Sequence, residues 1–137
     1  MGAWGSGPFD NDDAADFITG IADMTTPGLV AAVIGDALLA TTASDGYIEA
    51  PEMSRAIAAA TVVAILHTAG LPIPPALNQS WLDALGLVPS GLLLSEASRV
   101  FGRAFDANDN EWFDLWADAE LVDEVRERLA PYASALT

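Results

Sequence analysis

The chain has 137 residues, 52% hydrophobic and 18% charged; that length suits a single domain, 1–137, and that apolar content offsets the entropy of ordering, which excludes global disorder. Twenty acidic and five basic residues, all five arginine, give a net charge of −15, so phosphate backbones and anionic bilayers are repelled and neither nucleic acid nor membrane is an expected partner. With no cysteine and one histidine, His67, disulfides, thiolate metal sites, thiol catalysis and multi-histidine metal sites are excluded.

Residues 1–9 form a glycine-rich lead-in loop in which Gly2, Gly5 and Gly7 permit positive φ, and Trp4 and Phe9 are the side chains expected to anchor it. Neither a basic n-region nor an apolar h-region is present, so a cytoplasmic protein is expected. Gly2 and Ser6 fit the loose myristoylation pattern, but the same glycines serve the loop. The longest apolar stretches, 28–35 and 56–66, fall short of the roughly 20 residues a bilayer span needs.

Asp10 or Asn11 caps a first helix, whose Ala14, Phe17, Ile18 and Ile21 follow helical spacing and leave Asp12, Asp13, Asp16 and Asp23 opposite. Thr26-Pro27 opens a second helix to about Thr41, apolar almost all round except Asp36, and therefore expected deep in a bundle. Pro51 opens a third, whose 56–66 run lacks a polar face, and Gly70 with Pro72 ends it. A proline-rich connector follows over 70–79. Ser80 caps a short helix to Leu85, and Ser90 a longer one with Leu94, Ala97, Val100, Phe101, Ala104 and Phe105 inward and Glu96, Arg99 and Arg103 on the wet side. A turn over 106–110 precedes a short aromatic helix, 111–118, and a last amphipathic helix, 120–130, that Pro131 terminates or kinks. The expected fold is all-α: one compact bundle of about six to seven helices around two central apolar ones.

The opening Met1-Gly2-Ala3-Trp4-Gly5 with Phe9 and Asn11-Asp12-Asp13-Ala14, followed by Tyr47-Ile48-Glu49-Ala50-Pro51-Glu52 before an alanine-rich helix, resembles the bacterial domain-of-unknown-function family 4259. The resemblance covers nearly the whole chain and implies a stand-alone helical domain with no established activity. Thr61 stands where similar chains are expected to carry an acidic residue, so a site using that carboxylate is lost here.

Asp10, Asp12, Asp13 and Asp16 form the densest acidic cluster, and Asp12 and Asp16, one helical turn apart, have the spacing to share a divalent cation. The plainer reading is a helix cap with a solvated face. Residues 41–52 hold the second half of a calcium-loop pattern in Asp45, Gly46, Ile48 and Glu52; Asp106, Asn108 and Asn110 hold a first half; neither is complete. Asp36 is expected to pair with Arg55 or to be simply exposed, and His67 to suit the negative end of its helix. Trp112 and Trp116, one turn apart, either close the core or present an aromatic platform.

The acidity fits three readings: solubility, adaptation to high salt, or a surface addressed to a basic partner. With the usual catalytic residues missing, the expected function is a non-enzymatic protein-binding module, an immunity-like or regulatory partner of a basic protein, engaging it through Asp12, Asp13, Asp16, Trp4, Trp112 and Trp116. No cofactor is expected under that reading. The alternatives are a metal-dependent hydrolase using Asp10, Asp12 and Asp16 with Glu49 or Glu52, Asp45 being a further candidate metal ligand, and a structural homo-oligomer joined through the tryptophan helix.

Overall fold

The computed structural model describes residues 5–137, and Trp4, with the start of the glycine motif, lies outside them. Seven helices follow in order: α1 (Asp12–Ala22), α2 (Pro27–Thr42), α3 (Ala50–His67), α4 (Gln79–Leu85), α5 (Gly91–Ala104), α6 (Glu111–Asp118) and α7 (Val122–Ala135). The expected all-α class holds, and an isolated parallel bridge joins Ile48 to Asn110.

Local chemistry sets most of the helix starts. Asn11 caps α1, its Oδ1 accepting from the Ala14 amide at 2.9 Å, and Ser90 caps α5 by accepting from the Leu93 amide at 3.2 Å. Thr26 precedes Pro27 without a side-chain cap bond. The short α4 is capped by Asn78 rather than the expected Ser80: the Asn78 Oδ1 accepts from the amides of Ser80 and Trp81, at 2.8 and 3.3 Å. Gly86 takes the left-handed backbone that caps α4, with φ of 59°, while α3 ends at an extended Thr68 and Gly70, with φ of 87°, turns the chain just beyond it.

One helix is central, not two. From Met53 to Ala64 every residue of α3 except Arg55 is buried, and α1, α2, α5, α6 and α7 all pack on it. Its alanines at 56, 58, 59, 60 and 64 present little bulk, so neighbours can approach on every side. By contrast α2 buries only Val30, Ile34, Leu38 and Thr41. Leu29 and Leu39 face outward, 59% and 46% exposed, so the expectation of a deep α2 is corrected. An all-round apolar pattern cannot distinguish a central helix from an outer one with an unpartnered face.

The wet side assigned to α5 needs the same correction at Glu96, which is buried and accepts a hydrogen bond from the Thr42 hydroxyl of α2 as well as one from Arg99 at 3.2 Å. Further along, Pro131 does not terminate α7, which continues through it to Ala135. Tyr132 explains the tolerance: its ring is buried and its hydroxyl donates to the Pro72 carbonyl at 2.7 Å, tying α7 to the proline-rich connector. That anchorage offsets the missing backbone bond at proline.

The lead-in loop docks through Phe9, which is 2% exposed. At its described glycines, Gly5 and Gly7, a side chain would have to displace the charged ends that pack there. A β-carbon at Gly7 would lie 2.7 Å from both the Arg128 Nη2 and the Asp10 Oδ2, and one at Gly5 would lie 2.6 Å from that same Asp10 oxygen.

Candidate functional site

The two loops that each held half of a calcium-loop pattern meet in space. The Ile48 amide donates to the Asp109 carbonyl at 2.9 Å and the Glu111 amide to the Ile48 carbonyl at 3.0 Å, so residues 47–49 run beside 109–111. Asn110 locks this junction from inside. It is fully buried, its Nδ2 donating to the carbonyls of Arg103, Ala104 and Asp106 at 3.1, 2.9 and 3.0 Å, while its Oδ1 caps α6 by accepting from Phe113 at 3.0 Å. One side chain thus serves the C-terminus of α5 and the N-terminus of α6 together. Arg103 braces the same loop from outside, donating to the Asp106 and Asp109 carbonyls at 3.2 and 3.0 Å, and Asp109 takes a φ of 50°. Glu111 reaches across to accept from the Ala50 amide at 2.7 Å, at the start of α3.

Tyr47 stands on this junction, 55% exposed. Its phenol is raised above the ordinary value, first by partial desolvation and then by the negative charge of Glu111, Asp114, Glu49 and Asp109. An accessible aromatic face beside four carboxylates suits a cation: an arginine or lysine side chain gains a ring contact and charge-assisted hydrogen bonds together. Nothing in the periodicity marked Tyr47, because three of its four carboxylate neighbours, Asp109, Glu111 and Asp114, come from a segment more than sixty residues away in the chain.

The five arginines are each engaged within the fold. Arg55, Arg99 and Arg128 pair with Asp13, Glu96 and Asp10, at 3.9, 3.2 and 3.8 Å. Arg103 holds the carbonyls above, and Arg126 lies 4.5 Å from the centre of the Phe105 ring. Arg55 therefore meets Asp13 of α1, not Asp36, which is exposed on α2.

The acidic residues singled out from the sequence are dispersed. Asp12 and Asp16 are exposed on α1, Asp13 is turned to Arg55, and Asp10 accepts from the Gly7 amide at 3.0 Å while facing Arg128. Asp45 is exposed in the turn before Gly46, and Glu52 is half-buried in the first turn of α3. Among the described residues no group of three or more His, Asp or Glu side chains converges to hold a metal ion. Asn110, counted in the first half of the calcium-loop pattern, spends its side chain on helix ends.

The aromatic platform is also corrected. Trp112 and Trp116 are 6% and 8% exposed, with ring centres 6.3 Å apart edge to face, and Phe105 meets Trp112 the same way at 5.6 Å. They seal the core beneath the lead-in loop, where the cavity beside Ser6, Asn11 and Ser54 measures only about 10 Å³, room for one water at most. His67 is exposed at the end of α3. No helix among the described residues is long and apolar enough to cross a membrane.

These features define an all-helical domain with only a water-sized cavity next to the tryptophans. The chain belongs to the family described as domain of unknown function (DUF4259), whose model matches residues 2–128, from the lead-in loop into α7. Neither the curated proteins nor the solved structures contain a significant match to it.

Proposed function

We propose that the chain is a cytoplasmic, non-enzymatic protein-binding module that engages a basic partner, with Tyr47 and its surrounding carboxylates as the contact. The observation that supports this reading most is the half-exposed aromatic ring beside Glu49, Asp109, Glu111 and Asp114, in a protein whose own arginines are all committed internally. The net charge of −15 adds long-range steering toward a cationic surface. Asp12 and Asp16 contribute to that field from α1, whereas the buried Trp112 and Trp116 leave the contact surface.

The test is capture from the native cell lysate at moderate salt, comparing the wild-type chain with Tyr47→Ser/Asp114→Asn and with Asp12→Lys/Asp16→Lys. A stoichiometric basic protein, released by higher salt and lost with the Tyr47 variant while the charge-reversed α1 only slows its association, is the expected result. Equal capture by the Tyr47 variant would remove this patch, and the absence of any basic protein on the wild-type chain would remove the reading itself.

A further inference from the structure

We propose that α2 is a dimerisation helix, packing antiparallel against α2 of a second copy of this chain about a two-fold axis near Ile34. This inference is independent of the Tyr47 patch and rests on the outward side of α2. There Leu29, Ala32, Asp36, Leu39 and Ala43 recur at alternating spacings of three and four, the seam of a two-helix coiled coil. All five are exposed, although the helix is otherwise packed against the core.

Charge identifies the occupant. Two copies of a chain at −15 repel over most approaches, but Asp36 is the one charged residue between Met24 and Ser44, and none occurs from Ala84 to Ser95. These two segments adjoin: Leu93 lies 3.7 Å from the position a β-carbon would take at Gly35, bringing the start of α5, with Leu92 69% exposed, beside the middle of α2. A face with Asp36 as its one charge offers little to a basic partner, whereas it is the approach along which like-charged copies repel least.

Register identifies the direction. Antiparallel pairing about Ile34 sets Leu29 against Leu39 of the second copy and Ala32 against Asp36 of the second copy, so each leucine of the seam meets a leucine. The two aspartates are then offset by four residues, about 6 Å along the axis, free to turn to solvent. Parallel pairing would set Asp36 directly on Asp36, at a cost the antiparallel arrangement avoids. The contact is isologous, closing at two copies.

The natural absence of cysteine makes the test direct. Sedimentation of the full chain at about 100 μM and moderate salt should give a dimer mass, and Leu29→Asp/Leu39→Asp should give a monomer that keeps its helical circular dichroism and melts at a temperature independent of protein concentration. Under mild oxidation, a mixture of Leu29→Cys and Leu39→Cys chains should cross-link to a heterodimer. Leu29→Cys alone should not, because its two sulfurs would stand about 15 Å apart along the axis. A monomeric wild type, or Leu29→Cys chains that link to themselves as readily as the mixture does, would overturn the proposal. Should the aspartate variant unfold, the cysteine pair decides by itself.

Discussion

Replacing Asn110 tests whether one buried amide holds the α5–α6 junction. Its Nδ2 serves three carbonyls, at 3.1, 2.9 and 3.0 Å, and its Oδ1 caps α6 at 3.0 Å, from a fully buried position. Asn110→Ala removes the cap, worth about 1 kcal/mol, and leaves the carbonyl cluster without its donor, worth about 1–3 kcal/mol. The sum is about 2–4 kcal/mol, a fall in melting temperature of roughly 10 °C for a chain of this size. Asn110→Ser keeps an oxygen for the cap but not the three-way amide, and should recover about 1 kcal/mol of that loss. Asn110→Asp is nearly isosteric, yet it turns a donor into an oxygen facing three oxygens and should be at least as harmful as alanine.

Urea unfolding followed by circular dichroism, with the slope checked for constancy, supplies these differences. An Asn110→Ala loss below about 1 kcal/mol, or an Asn110→Asp chain as stable as wild type, would refute the assignment of the junction to this side chain.

Four further outcomes follow from the packing and the charge. Trp112→Ala should cost about 3–5 kcal/mol as a core truncation, and a loss under about 1 kcal/mol in urea would return Trp112 to the surface. Glu96→Ala should cost about 1–2 kcal/mol through its bonds to Thr42 and Arg99, with Glu96→Gln recovering the Thr42 part; equal losses would show that only the charge matters. Tyr132→Phe should cost about 1 kcal/mol at neutral pH through the bond to Pro72. Both tyrosines are raised above their ordinary value of 10.0, Tyr132 by burial that outweighs the lowering effect of Arg128, so above about pH 10 the unfolded chain loses protons first and stability falls as pH rises. Tyr132→Phe should flatten that decline, and an unaltered slope would contradict it. Finally, the melting temperature should rise between about 0.02 and 0.5 M sodium chloride as unpaired carboxylates are screened; a flat response would leave the acidity a matter of solubility.

Helix number, the Asn11 and Ser90 caps and the stops at Gly70 and Pro72 were legible because each depends on neighbours in the chain. Burial around an apolar helix was not. Residues 30–39 and 56–64 look alike as apolar runs, yet α3 is enclosed by five helices while α2 has partners on one side only. Glu96 shows the converse, since the Thr42 hydroxyl that admits a carboxylate to the interior is 54 residues away. Pro131 signals a stop or a kink because proline removes a backbone bond, and the anchor that lets α7 continue lies at Pro72, far outside any local window.

The candidate site was the least legible part, for a reason its construction explains. Tyr47 and Glu49 precede α3, whereas Asp109, Glu111 and Asp114 flank the start of α6, and each group alone is an ordinary loop with acids. They become one surface because Ile48 pairs with both neighbours of Asn110 and Glu111 caps the first turn of α3. Those two contacts need Asn110 fixed, and Asn110 is fixed by carbonyls exposed only where α5 ends. The surface that presents Tyr47 to solvent is therefore coupled to the packing of a buried amide. Variants of Asn110 that still fold should loosen the cluster of carboxylates and return the Tyr47 phenol toward its ordinary titration, which absorbance in the alkaline range would record; a Tyr47 titration unmoved in such a variant would separate the patch from the junction.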